Sequence, residues 1–184
     1  MTNTPSPAPP ARKPDLALRP EPPEDMYLRS IAQEDQEFLR GWKNLHRHSF
    51  FHQDIITPQL QGRWFAGYGE RFDDWMFMVV REGRPAGCLG WRLWQGRADL
   101  YNIIRGEEPR RGDGLMSRAL RLLLSHLLAE GRADIVARVI TGNPALGWYV
   151  KNGFVVEREF DDHFLLNLDR AAFTPRSYII ISGD

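Results

Sequence analysis

The chain has 184 residues, enough for one folded domain, and its hydrophobic and charged fractions of 42% and 26% are ordinary for a globular protein. Basic and acidic residues both number 24, so no net charge favours nucleic acid or an anionic membrane surface as a partner. No apolar run reaches the ~20 residues that span a bilayer, and the first residues do not have the pattern of a signal peptide. Cys88 is the only cysteine, which excludes an intramolecular disulfide and favours a cytoplasmic protein.

Both ends of the chain differ in composition from its middle. Residues 1–24 are rich in proline, which lacks a backbone donor, and they are predicted to form a disordered tail. The folded domain is expected over residues 25–174, and residues 175–184 are expected to form a C-terminal strand or tail. The apolar stretch 177–182 indicates a strand that joins either its own sheet or that of a neighbour in a homodimer.

Between these ends, apolar periodicity predicts strands and helices in a regular order. Thr57 and Pro58 supply the N-cap and the first turn of the second helix. The order is strand 27–31, helix 33–45, helix 57–68, strands 75–80, 86–94 and 99–104, helix 115–128, strand 135–140, helix 144–151, and strands 154–160 and 163–168. One strand–helix–strand crossover thus lies between antiparallel hairpins, which predicts an α+β fold, or α/β in the broad sense, with a mixed sheet covered by helices.

The loop between the strand that ends near Ile104 and the helix that begins near Leu115 has the composition of an anion site. Its segment Pro109–Gly114 contains two arginines and two glycines. Glycines let backbone N–H groups approach an anion, and a helix N-terminus adds unpaired donors and about half a positive charge. The segment is neither a Walker A motif nor a Rossmann fingerprint. By itself it is either a phosphate-binding loop or a tight turn with solvated arginines.

A second motif runs from Asn143 to Phe154, with Tyr149 on a short helix and Gly153 before the next strand. The two motifs together resemble the GNAT superfamily of acyl-CoA-dependent N-acetyltransferases, in which the loop reads Q/R-x-x-G-x-G/A and the later motif reads Asn, Ala, Tyr and Gly-Phe. The resemblance covers about residues 26–170. It implies a GNAT-like mixed, mostly antiparallel sheet of six to seven strands with helices on both faces.

The resemblance also implies a function for individual residues. Acetyl-CoA is expected where the strands before and after the long helix diverge, with its pantetheine arm paired to the backbone of Ile103, Ile104 and Arg105 like an added strand. Asn143 is expected to contact the cofactor near the arm, and Tyr149 to lie beside the thioester sulfur and protonate the leaving thiolate. The expected pyrophosphate site comprises Arg110, Arg111, Gly112, Asp113, Gly114, Leu115, Met116 and Ser117.

The sequence departs from the family pattern at two positions. Pro109 replaces the usual Gln or Arg and removes one backbone donor. Asn143 lies one residue closer to Tyr149 than the usual spacing, so that Gly142 is an alternative for the same structural position.

The base that takes a proton from the attacking amine is not fixed by the motifs. A strand position that faces the cleft is favoured, so Asp99, and Asn102 through a water molecule, are the catalytic candidates beside Tyr149. The other candidates are Tyr101, Glu70, Asp73 and His52.

The loop after the first helix contains His46, His48 and His52. Their spacing is not that of a metal-binding pair, and no acidic or cysteine partner stands at ligand spacing, so no metal site is predicted. The segment is expected instead to contact the acceptor, and Cys88 is expected to be a core residue.

The sequence therefore predicts a GNAT-type N-acetyltransferase that transfers the acetyl group of acetyl-CoA to the primary amine of a small molecule by direct attack in a ternary complex. An amino sugar is the first candidate acceptor, and a peptide or protein N-terminus is the alternative. The rival from another class is a non-catalytic module of the same fold that senses coenzyme A or makes protein contacts, which Pro109 favours.

Overall fold

The computed structural model describes residues 13–106 and 112–182. These residues form one nine-stranded sheet and four α-helices. The strands are β1 (Leu16–Pro20), β2 (Met26–Ser30), β3 (Asp74–Arg81), β4 (Arg84–Trp94), β5 (Arg97–Arg105), β6 (Ile135–Ile140), β7 (Phe154–Glu159), β8 (His163–Leu168) and β9 (Tyr178–Ser182). The helices are α1 (Gln36–Leu45), α2 (Pro58–Ala66), α3 (Leu115–Ala129) and α4 (Ala145–Lys151).

The sheet has the strand order β7-β8-β6-β5-β4-β3-β2-β1-β9. Every neighbouring pair is antiparallel except β5 and β6, which are joined through α3 and run parallel. This confirms the predicted α+β fold with one crossover between antiparallel hairpins. In the described residues, no helix is long and apolar enough to cross a membrane.

The two faces of the sheet carry separate cores because successive strand side chains point to opposite sides. On β3, Phe77 and Val79 pack in the core that contains α3. Met76 and Met78 pack on the other face against side chains from α1 and α2, such as Leu39. The predicted helices therefore cover both faces, and the crossover helix α3 is buried along most of its length.

The structure corrects the predicted N-terminal tail. Residues 16–20 form β1, which pairs with β2 and places the fully buried side chain of Leu18 in the core. The C-terminal strand β9 then pairs with β1, so it joins its own sheet. The predicted sheet had six to seven strands. With these two strands, the sheet has nine within the described residues. Proline at position 20 is tolerated because it stands at the end of a strand.

Leu18→Ala tests whether β1 is part of the core. We expect the free energy of unfolding in urea to fall by about 2–5 kcal/mol, because a fully buried leucine leaves a cavity. Ile180→Ala is the matched control, since Ile180 is the partner of Leu18 on β9 but is 48% exposed, and it should cost about 1 kcal/mol or less. Equal losses for the two variants would contradict the burial of β1.

Candidate functional site

Strand β5 contains a β-bulge in its second half. Tyr101 lies opposite Gly90 and Ile104 lies opposite Cys88, so β5 advances three residues while β4 advances two. Asn102, inside this interval, has a φ of +50°, a conformation that asparagine tolerates better than most residues. A bulge bends the strand that carries it and changes the direction of its side chains.

Beyond the start of this bend, β5 and β6 separate. They pair only where Ala98–Leu100 faces Ile135–Ala137. The later residues of β5 still pair with β4 on one side, while among the described strands β6 no longer pairs with them on the other. A cleft of about 550 Å³ occupies the gap, and its walls come from β5, β6, α4 and the loop after α1. Ile103, Ile104 and Arg105, which were expected to pair with the pantetheine arm, line this cleft.

The predicted phosphate loop approaches the N-terminus of α3. Gly112 and Gly114 have φ values of +90° and +69°, which favour glycine, and an added Cβ at either position would meet open space. The first intrahelical bond runs from the Arg118 N–H to the Gly114 carbonyl, so the N–H groups of Met116 and Ser117 have no acceptor within the helix. The side chains of Leu115 and Met116 are buried in the core. Pro109, Arg110 and Arg111 lie outside the described residues.

Asp113 anchors this loop to the sheet. Its carboxylate accepts hydrogen bonds from Arg105 at 2.6 Å and 3.0 Å, from Arg81 at 2.5 Å and from the backbone N–H of Leu115 at 3.0 Å. The hydrogen bonds from Arg105 are the main reason why the pKa of Asp113 lies well below its usual range. The Leu115 N–H was expected to bind pyrophosphate, but it already has an acceptor within the loop. Because Arg105 also lines the cleft, the Arg105–Asp113 pair joins the cleft to the loop.

Tyr149 stands on α4 at the wall of the cleft. Its ring packs edge-on against Phe154 and Trp148, with centroids 5.5 Å and 5.1 Å away. Trp148 in turn donates from Nε1 to the Ser117 hydroxyl at 3.0 Å, which fixes α4 against α3. Burial, followed by the charge of Asp99, raises the pKa of Tyr149, so its hydroxyl stays protonated at neutral pH. In residues 13–106 and 112–182, no group hydrogen-bonds to this hydroxyl.

Asn143 lines the cleft, but its side chain is engaged within the protein. Nδ2 donates to the Ser49 carbonyl at 3.1 Å, and Oδ1 accepts from the Ala145 N–H at 2.9 Å. The second bond caps the start of α4, where an exposed N–H would otherwise lack a partner. Asn143 therefore connects the loop after α1 to the helix that carries Tyr149.

No protein-family model matches the sequence. Solved structures with similar folds include apo FdhC, a nucleotide-linked sugar GNAT, with a TM-score of 0.68 and 17% identity over 81% of this chain and 89% of that one. AAC(6')-Ib in complex with ribostamycin and coenzyme A gives a TM-score of 0.69 and 16% identity over 82% and 96%. Spermidine N-acetyltransferase from Vibrio cholerae, in complex with coenzyme A and spermine, gives 0.64 and 18% over 81% and 98%.

The chain has the GNAT fold. At these identities the similarity establishes the shared fold, which is the fold that the loop and the Tyr149 motif predicted.

Within this GNAT fold, Asp99 is tied to arginines. Its side chain is 1% exposed, and its carboxylate accepts from Arg138 Nη2 at 2.6 Å and from Arg92 Nε at 3.2 Å. Both oxygens of this carboxylate are therefore occupied by guanidinium N–H groups, and neither is directed at an incoming amine. The structure thus disfavours Asp99 as the base and indicates that it holds the two arginines at the cleft wall.

Of the other predicted bases, Tyr101 and His52 line the cleft, whereas Glu70 and Asp73 do not. Tyr101 donates its hydroxyl to the carboxylate of Asp74, and burial, followed by the charge of Asp74, raises its pKa, so it does not provide a phenolate. Glu70 and Asp73 are exposed and do not line the cleft. His52 lines the cleft, but its ring is exposed and lies 4.0 Å from an exposed aspartate.

A second, smaller cavity of about 240 Å³ adjoins the cleft. Most of its wall is apolar, and its polar members are Lys43, His52, Gln61 and Asn102. Its apolar members are Leu39, Ile56, Leu60, Trp64, Met76, Cys88 and Ile104. Cys88 is buried there as expected, and burial raises the pKa of its thiol to about 12. No carboxylate of the described residues lines this cavity.

Lys43 is the site residue that sequence patterns did not bring forward. It lies on α1 four residues after the buried Leu39, on the same inward side as Trp42. Its side chain lines both the cleft and the second cavity. The signal that could have identified it is a lysine at an apolar position of an amphipathic helix, since lysine is rarely buried without a partner.

The three histidines of the loop after α1 do not form one cluster at the cleft. His46 and His52 line the cleft, whereas His48 is exposed and does not. Over the part of the chain that the structure describes, no group of three or more His, Cys, Asp or Glu side chains is arranged to hold a metal ion.

Replacing Asp113 with Asn tests the loop anchor. We expect the free energy of unfolding at pH 7 to fall by about 2 kcal/mol, because two arginines lose their ionised partner. The pKa of Asp113 is lowered in the folded protein, so its contribution is complete above its unfolded pKa and is lost as the pH falls. The difference between the wild type and Asp113→Asn in urea unfolding should therefore shrink below about pH 4. Asp161→Asn, at an exposed turn, is the control and should change little at either pH.

Proposed function

We propose that this protein is an N-acetyltransferase that moves the acetyl group of acetyl-CoA to the primary amine of a small molecule by direct attack in a ternary complex. The observation that carries the proposal is one arrangement: β5 and Tyr149 line the gap between β5 and β6, and the Arg105–Asp113 ion pair joins this gap to a glycine loop at the N-terminus of α3. An extended acyl-thioester arm fits such a gap, since an open strand edge offers regularly spaced donors and acceptors.

In this proposal the cofactor is held mainly by backbone groups. The pantetheine arm pairs with the backbone of Ile103–Arg105, and the pyrophosphate accepts from N–H groups of Gly112–Gly114, Met116 and Ser117. Arg110 and Arg111 supply positive charge. The carboxylate of Asp113 would repel phosphate, so its function is to position the loop through Arg81 and Arg105. AAC(6')-Ib and the spermidine enzyme, which share the fold, were solved with coenzyme A, and this supports the placement.

Tyr149 is the proposed acid. The thiol of coenzyme A has a reference pKa of about 8.5, so its thiolate is a good acceptor for a proton from a nearby phenol. The raised pKa of Tyr149 keeps the proton available at neutral pH. The edge-on packing of its ring and the Trp148–Ser117 bond hold the hydroxyl in position. Asn143 acts as a positioning residue because it caps α4.

The second cavity indicates the class of acceptor. Its apolar wall and its volume of about 240 Å³ suit an amine carried on a compact group with an apolar face, such as the ring of an amino sugar packed against Trp64. A polycation is disfavoured, because the described residues offer no carboxylate in this cavity and Asp99 in the cleft is already paired. FdhC, described as a nucleotide-linked sugar GNAT, is consistent with this choice.

Gly114→Val tests the cofactor loop. Saturating acetyl-CoA, at about 100 times its Kd, should stabilise the wild type by about 2.7 kcal/mol and raise its Tm by several degrees. Valine is strained at a φ of +69°, so most of this ligand-induced shift should be lost. Gly41→Ala, on the exposed side of α1 with open space around it, is the control and should keep the shift. A wild type that does not respond to acetyl-CoA would contradict the proposal and favour a different ligand.

The catalytic proposal is tested by release of free coenzyme A from acetyl-CoA across a library of primary amines that includes amino sugars, polyamines and peptides. On an accepted amine, Tyr149→Phe should lower kcat by about 10²-fold with little change in the Kd of acetyl-CoA, because only the proton donor is removed. Tyr178→Phe is the matched control, since its hydroxyl contacts His126 and not the cleft. Unchanged turnover in Tyr149→Phe would rule out Tyr149 as the acid.

A further inference from the structure

Lys43 occupies the junction between the cleft and the apolar cavity, since its side chain lines both. The residues shared by the two walls are Lys43, His52, Trp64, Asn102 and Ile104. An acceptor that sits in the apolar cavity and attacks a thioester in the cleft must pass its amine through this junction. The Lys43 nitrogen is therefore at the place where the reacting amine has to lie.

The contacts of Lys43 hold its nitrogen in place but include no negatively charged partner among the described residues. Nζ donates to Asn102 Oδ1 at 2.5 Å and lies 3.2 Å from the centroid of the Phe50 ring. None of the carboxylates in the described residues lies within ion-pair distance of it. Asn102 is the bulge residue of β5, so the same distortion that opens the cleft also provides the hydrogen-bond acceptor for Lys43.

Burial favours the neutral form of Lys43 and opposes the contacts with Asn102 and Phe50, which favour the ammonium. Burial, together with the positive charge of Arg92, lowers the pKa of Lys43 to about 7. Cys88, which faces Lys43 from β4, provides no counter-charge because burial raises the pKa of its own thiol to about 12. The remaining charged or titratable groups of the cleft wall are Asp99, which is paired with Arg92 and Arg138, together with Arg105, His46, His52, Tyr101 and Tyr149.

We propose that Lys43 Nζ is the base that takes the proton from the attacking amine. The proposal rests on the proposed acetyl transfer. It assigns the catalytic proton acceptor to α1, which neither of the two sequence motifs contains. Asp99 and Tyr101 are bound to other groups, whereas Lys43 lines both cavities and has no carboxylate partner among the described residues. His52 also lines both cavities, but its ring is exposed.

The step balances as follows. The free amine attacks the acetyl carbon and an N–C bond forms. As the adduct collapses, the C–S bond breaks, one proton passes from the acceptor nitrogen to Lys43 Nζ, and Tyr149 gives its proton to the departing sulfur. Lys43 then loses a proton to solvent and Tyr149 regains one, so that amine and thioester have become amide and thiol.

A fixed positive charge at Lys43 would have a different function, namely to bind an anionic group of the acceptor. Two substitutions separate these functions. Lys43→Met removes the amine but keeps much of the stem, whereas Lys43→Arg keeps the charge and a donor for Asn102 but does not deprotonate. Lys13→Met is the control: Lys13 is also half-buried, and burial lowers its pKa to about 8, but it lines a separate cavity beside Tyr68.

The measurement is the pH dependence of kcat and of KM for an accepted amine, with thermal unfolding as the check that each variant is folded. In the wild type kcat should rise as the pH rises through about 7, because the base must be unprotonated. Lys43→Met and Lys43→Arg should both lose about 10²-fold in kcat and lose this rise, with unchanged Kd for acetyl-CoA. Lys13→Met should retain the wild-type kcat and its rise with pH. Wild-type kcat in Lys43→Arg, or a change confined to KM in Lys43→Met, would show a fixed cation and overturn the proposal.

A second measurement is independent of turnover. The chain contains three lysines, Lys13, Lys43 and Lys151, so ¹³C labelling at lysine Cε gives a spectrum simple enough to assign by the signal that Lys43→Met removes. The Lys43 signal should titrate with a midpoint near 7. A midpoint above about 9 would overturn the proposal whatever the enzyme acetylates. If the wild type acetylates no amine at all, the proposed function itself fails, and the base assignment fails with it.

Discussion

The separation of β5 from β6 is the constraint on which the rest of the site depends. Two parallel strands that start as neighbours must lose their hydrogen bonds once one of them bends, and the bulge at Asn102 supplies the bend. The backbone groups exposed by that separation need partners, since an unpaired buried donor or acceptor is costly. An extended ligand can provide these partners. The same separation that ends the pairing of β5 with β6 therefore creates a binding site for a ligand.

Electrostatics in this protein is local, in keeping with its zero net charge. Asp113 forms ion pairs with Arg81 and Arg105 at the loop. Asp99 forms ion pairs with Arg92 and Arg138 at the cleft wall. Both carboxylates are therefore structural partners of cations and not free bases. Lys43 is different, because its surroundings are an amide, an aromatic ring and a protonated thiol, and these leave burial to decide its charge.

The sequence correctly predicted elements that depend on residues close together in the chain. It did not predict features that depend on contacts between distant segments. The long apolar period of α3 and the short helix of Tyr149 were both found, because their residues interact within a few positions. Strand β1 was missed because its proline-rich surroundings hide one buried leucine whose partners lie elsewhere in the chain. Asp99 was predicted correctly at the cleft, but its two arginines come from neighbouring strands and their approach depends on tertiary structure. The burial of Lys43 likewise depends on β4 and β5.

The pairing of β1 with β9 has a consequence for how the chain is made. During synthesis β2 and β3 emerge soon after β1 and can pair with it or with each other, whereas β9 emerges last, so one edge of β1 stays open until then. Contacts between such distant residues form slowly, and an open strand edge in the meantime is a site of misassembly. Synthesis of β9, and not the folding of the cleft, would then complete the described sheet at the margin farthest from β7.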